Sequence, residues 1–133
     1  MSNNAVSLPP LRVGLIGLGT VGAGTFKVLA RNQAEIRRRA GRGIEITQIA
    51  VRNVAKAKAL LGDAVPVHAD ARKLVADPSI DIVVELMGGT TEARELVLAA
   101  IANGKHVVTA NKSLLAVHGN EIFEAASKHG VMV

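Results

Sequence analysis

Leu11–Arg12–Val13–Gly14–Leu15–Ile16–Gly17–Leu18–Gly19–Thr20–Val21–Gly22 decides the fold. A short apolar strand pattern runs into three glycines spaced G-x-G-x-x-G, and a helical pattern follows. A sharp turn at a strand end needs a residue tolerant of unusual backbone angles, which Gly17 supplies. Gly19 carries no side chain and lets a diphosphate approach the backbone, while Gly22 lets the next helix pack closely on the strand. That helix offers unpaired N–H groups and the positive end of its dipole to phosphates. A Gly-rich turn without a ligand is the alternative. The strand before and the helix after weigh against it.

The totals agree with a buried parallel sheet. A chain of 133 residues makes one domain, and with 49% hydrophobic but only 2% aromatic residues its core must be built from Val, Leu, Ile and Ala. No cysteine is present, which excludes a disulfide framework and a thiol nucleophile within this stretch and fits a reducing compartment. Residues 1–10 are polar, end in Pro9–Pro10 and lack the pattern of a secretory signal, so they read as a flexible leader. Residues 11–133 then form the dinucleotide-binding domain. No apolar run is long enough for a bilayer, and the expected setting is the cytoplasm with no membrane partner. The net charge of +5 is concentrated in Arg37–Arg38–Arg39 and Arg42. Such a cluster suits a solvated helix end, and with no aromatic residues among it to stack bases, nucleic acid is not an expected partner.

Along the chain, a helix is predicted from Thr20 towards Arg39, stopped by Gly41 and Gly43. Ile44 to Val51 reads as a strand, and Asn53 caps a helix closed by Gly62. Val65 to His68 is a brief strand, and Asp70 caps a helix that Asp77–Pro78 ends. Ile80 to Met87 is the clearest buried strand. Gly88–Gly89–Thr90–Thr91 opens the next helix, which Asn103–Gly104 closes. Lys105 to Thr109 is a strand, and Asn111 or Ser113 starts a helix towards Lys128. Strands alternating with helices predict an α/β, Rossmann-type doubly wound, mainly parallel sheet with helices on both faces. Val131–Met132–Val133 reads as the opening of another strand, so the chain is expected to be the front part of a longer protein, cut before a catalytic domain.

Ligands of such sheets bind outside the carboxyl ends of the strands. The second strand ends in Val51–Arg52–Asn53, where an acidic residue commonly bonds the adenosine ribose of NAD. Arg52 cannot accept that bond, but its guanidinium suits a 2′-phosphate, which favours NADP. A solvated strand-end arginine is the other reading. Gly88–Gly89–Thr90–Thr91 follows the fourth strand, where small and hydroxyl residues suit a diphosphate or nicotinamide ribose, with Gly89 and Thr90 as the cofactor-binding candidates, although Thr90 could equally cap the next helix. Glu85 interrupts an apolar strand and needs partners, from ligand or neighbouring backbone. Lys112 stands at a helix start against the local dipole, which points to a task such as pairing an anionic substrate or polarising a carbonyl. Ordinary helix-start lysines also exist. His68, His106, His118 and His129 show no ligand spacing, so no metal is assigned, and His106 is expected within the strand packing.

Four segments together resemble homoserine dehydrogenase: Gly17–Leu18–Gly19–Thr20–Val21–Gly22, Ala50–Val51–Arg52–Asn53, Glu85–Leu86–Met87–Gly88–Gly89 and Val108–Thr109–Ala110–Asn111–Lys112. The resemblance covers the chain after the leader, and the last two segments are its more specific part. It implies hydride transfer between L-homoserine and L-aspartate 4-semialdehyde with NADP or NAD, a step towards threonine, methionine and isoleucine. It also implies that Gly17 to Gly22 cradle the cofactor, with Thr20 and Val21 in contact. Thr90 would lie by the ribose, and Lys112 would border nicotinamide and substrate as the catalytic residue of this part. The remaining proton-transfer groups and the surfaces of a homo-oligomer would lie in a later domain, so this chain is expected to bind nucleotide weakly and not to turn over. A stand-alone NAD(P)-sensing module is the alternative, distinguished by whether a catalytic domain continues beyond Val133. Aspartate-semialdehyde dehydrogenase would share the glycine motif, but it needs a cysteine nucleophile and does not account for Asn111–Lys112.

Overall fold

The computed structural model describes residues 9–17, 24, 27–28, 31–62 and 64–133. Leu18 to Gly22 lie outside the described residues, so what is seen of the glycine motif is Gly17. Five strands form one parallel sheet in the order β3-β2-β1-β4-β5, with β1 at Leu11–Ile16, β2 at Ile44–Ala50, β3 at Val67–His68, β4 at Ile82–Glu85 and β5 at His106–Thr109. The order reverses at β1, which places β2 and β4 on either side of it. That is the switch point at which an open α/β sheet forms its crevice.

Alternation along β1 sorts the core onto two faces. Val13 and Leu15 pack with Ile46, Ile49 and Ala57 on one side, whereas Ile16 joins Leu74, Val83, Leu96 and Leu114 on the other. Gly14 belongs to neither set, and its lack of a side chain has a steric cause. A Cβ there would lie 2.6 Å from Leu74 Cδ2, so the helix carrying Leu74 sits directly on the β1 backbone. The β1–β2 register also shifts between Val13 and Gly14.

The described helices are α1 at Gln33–Ala40, α2 at Val54–Leu61, α3 at Ala71–Ala76, α4 at Thr91–Ala102 and α5 at Lys112–His129. Gly24, Lys27, Val28 and Arg31 are also helical, but Asn32 is a turn rather than part of an unbroken helix to Arg39. Its side-chain amide donates to Val28 O at 2.9 Å, so side chain and backbone compete there for one carbonyl. Three polar caps fall where the sequence predicts them. Asn53 accepts from Lys56 N, Asp70 from Lys73 N and Asn111 from Leu114 N, each at 3.0 Å. Thr90 occupies the N-cap position of α4 without a side-chain capping bond. The last residues lie beside β5, where Val107 N donates to Met132 O at 2.9 Å and Met132 N donates to His106 Nδ1 at 3.1 Å. His106 is therefore exposed on the edge strand and not within the packing expected for it. Among the described residues no helix is long and apolar enough to cross a membrane.

Candidate functional site

The carboxyl ends of β1, β2 and β4 open into a cavity of about 950 Å³. Ile16 and Gly17 line it at the end of β1, with Met87 and Gly88 from the chain after β4. Gly17 adopts φ +84°, and a Cβ on it would meet the Leu86 carbonyl carbon and the Met87 nitrogen at 3.2 Å. Only glycine combines that left-handed backbone with that approach to the chain leaving β4. Gly17 N donates to Ala50 O and Leu86 N to Ile16 O, both at 2.9 Å, so the three strand ends are tied together beneath the cavity.

The walls differ in charge. Lys27, Arg52 and Lys56 line the cavity with Asn53, while Leu60 and Ala69 give it an apolar patch. Glu92, in the first turn of α4, is the one carboxylate among the described lining residues. It lies 3.7 Å from Arg52, Oε2 to Nη2, so that side chains from elements on either side of β1 reach toward each other. A polyanion such as a dinucleotide fits this lining: the left-handed Gly17 at the end of β1, cations beside it and an apolar patch beyond.

A second group of residues sits at the ends of β4 and β5. Glu85 is fully buried, paired in register with Ile16 on one side and Thr109 on the other. Thr109 Oγ1 accepts from Asn111 N at 3.0 Å and donates to Glu85 Oε1 at 2.5 Å. Asn111 caps α5 and also donates through Nδ2 to Gly89 O at 2.6 Å, which fastens the loop after β4 to the start of α5. The second carboxylate oxygen of Glu85 is buried with no hydrogen-bond partner among the described residues. Glu85 thus finds its partner in the neighbouring strand.

The predicted site residues divide accordingly. Gly17 and Arg52 line the cavity, as does Gly88 of the Gly88–Gly89–Thr90–Thr91 stretch. Gly89 adopts φ +84° just beyond it, Thr90 is half-buried, and Lys112 is exposed in the first turn of α5 rather than in the cavity wall. Leu18, Gly19, Thr20, Val21 and Gly22 are not described. Sequence reasoning missed Glu92, because its partner Arg52 lies far away along the chain and only the sheet order brings them together.

It also missed Lys105, at the opposite end of the sheet. This lysine is buried, and its ammonium donates to Asp77 O at 2.6 Å and Ile80 O at 2.8 Å. Burial pulls its pKa below the usual lysine value, against the pull of Asp77 and Asp81. Its place beneath the β3–β4 connection makes it a clip for the fold, away from the ligand crevice. Among the described residues no cluster of His, Asp or Glu could hold a metal ion.

Comparison with known proteins gives a consistent result. The family described as homoserine dehydrogenase, NAD binding domain, matches residues 17–133. Homoserine dehydrogenase of Pseudomonas aeruginosa is 60% identical over 126 residues, covering 95% of this chain and 29% of that protein. A crystal structure of a homoserine dehydrogenase from Thiobacillus denitrificans superposes with a TM-score of 0.90 at 62% identity, over 93% of this chain and 28% of that one. For the S. aureus homoserine dehydrogenase at pH 7.5 the TM-score is 0.87 at 37% identity, over 94% and 31%. The chain therefore spans less than a third of the length of these relatives.

Proposed function

The chain belongs to the NAD-binding domain family of homoserine dehydrogenases, and from that membership we propose that it is the cofactor-binding part of an oxidoreductase interconverting L-homoserine and L-aspartate 4-semialdehyde. The observation that carries this reading is the cavity at the ends of β1, β2 and β4, with the left-handed Gly17 and three cations among its lining residues.

NADP or NAD, when bound, supplies the hydride donor or acceptor. The residues of this chain bind and orient. The turn at Gly17 receives the diphosphate, and the glycines up to Gly22 with Leu18, Thr20 and Val21 complete its cradle. Arg52 pairs with a 2′-phosphate, which favours NADP. Gly89 and Thr90 border the nicotinamide ribose, held in place by the Asn111 side chain. Lys112 faces the small-molecule substrate, where an ammonium at a helix start can polarise a carbonyl oxygen. The remaining groups for proton transfer belong to the rest of a longer, homo-oligomeric, cytoplasmic enzyme.

NADPH and NADH titrated into the chain, followed by the quenching or enhancement of nicotinamide fluorescence, test the binding half. Saturable binding of both, with no homoserine-dependent reduction of NADP by the chain alone, is the expected result. Absence of binding at millimolar cofactor would overturn the reading. Homoserine oxidation by the isolated chain would overturn the assignment of the missing chemistry to another part of the protein.

A further inference from the structure

Arg52 and Glu92 come from elements on opposite sides of β1, one following β2 and the other following β4, and their side chains pair at 3.7 Å within the cavity wall. The pair is open to solvent, with 86% of the Arg52 side chain and 55% of the Glu92 side chain exposed, so it opens at little cost. Three cations and a single carboxylate are seen among the described residues of the cavity wall. A carboxylate in the first turn suits the dipole of α4, but the dipole does not require it to reach an arginine across the crevice.

We propose that Glu92 is a specificity-determining residue of the cofactor site, acting by competing with a 2′-phosphate for Arg52. This inference rests on the dinucleotide reading of the cavity. A cofactor with a 2′-phosphate offers Arg52 a stronger, doubly charged partner, and must first displace Glu92 and then lie in its field. A cofactor with a free 2′-hydroxyl makes no claim on the guanidinium and leaves the pair in place. Glu92 thereby lowers the preference for NADP that Arg52 creates, and the balance between the two cofactors is set by a residue of α4 as well as by the end of β2. The acidic side chain missing after β2 has a counterpart on the other wall, which shifts the balance towards NAD as an acid beside the ribose would, but by occupying Arg52.

The test is a cycle of variants read with NADPH and NADH as the titrants. In Glu92→Gln, NADPH affinity should rise about two- to fivefold, the range of an exposed ion pair, while NADH affinity changes clearly less. In Arg52→Ala the same Glu92→Gln change should leave the NADPH to NADH ratio where it was, because the guanidinium competed for is gone. The gain in the single variant should shrink as salt is raised. An equal gain for both cofactors, no gain for NADPH, or a gain in selectivity that persists without Arg52 would each overturn the proposal while leaving cofactor binding intact. Failure of the unsubstituted chain to bind either nucleotide would instead remove the dinucleotide reading, and this inference with it.

Discussion

Thr109 Oγ1 donates to the buried carboxylate of Glu85 at 2.5 Å, across the adjacent ends of β5 and β4. The same hydroxyl oxygen accepts from Asn111 N at 3.0 Å, so it both donates and accepts. One hydroxyl therefore holds a strand end, a helix cap and, through Asn111 Nδ2, the loop at Gly89.

Thr109→Val keeps the shape and removes the hydroxyl. It should destabilise the chain by about 1–3 kcal/mol, because Glu85 loses its partner while remaining buried. Urea unfolding checks this, and Thr109→Ser should recover most of the loss. A valine variant as stable as the parent would mean that Glu85 finds another partner.

Gly14→Ala tests the contact between β1 and α3. The added methyl meets a fully buried Leu74 that has little room to retreat, and overpacking of this kind costs about 1–3 kcal/mol. A fall in urea midpoint with unchanged m-value is the expected signature.

Gly88→Val separates fold from function. Gly88 lines the cavity, and a Cβ on it would meet none of the described residues within 4 Å. Stability should stay within about 0.5 kcal/mol of the parent, as at an open surface position. NADPH affinity should fall about tenfold, equivalent to about 1.4 kcal/mol, because the side chain takes space meant for ligand.

Acid stability should depend on Asp77. Hydrogen bonds from the Ser79 hydroxyl and amide and from the Gln48 side chain hold its carboxyl below the ordinary 3.8. A carboxyl lowered in the fold contributes stability that is fully present above its unfolded pKa and lost as pH falls through the folded one. Asp77→Asn should therefore be less stable than the parent at neutral pH. The difference should hold down to about pH 5 and narrow progressively below about pH 4. A difference that stayed constant into acid would show that the charge is not what the bonds favour.

What the sequence makes legible here is local grammar. Asn53, Asp70 and Asn111 cap helices through bonds spanning three residues, and Gly41, Gly62 and Gly130 end them, so each signal and its effect lie close together. β4 is shorter than the apolar run suggests for a tertiary reason. Asp81 turns its carboxylate to Arg12 N at 2.8 Å before the strand begins, and beyond Glu85 the chain leaves the sheet to form the cavity floor. Gly14, Glu92 and Lys105 were not legible because each is explained by a residue that only the sheet order brings near. Glu85 lay between the two cases: its need for a partner could be read, but Thr109 could be recognised only from the pairing of β4 with β5.

The place where a nicotinamide cofactor lies decides most, and a crystal structure of the chain with NADP measures it. The diphosphate should lie over the turn at Gly17, with the adenosine ribose at Arg52 and the Arg52–Glu92 pair opened. Density for the cofactor away from the ends of β1, β2 and β4, with that turn left clear at saturating NADP, would contradict the cofactor reading.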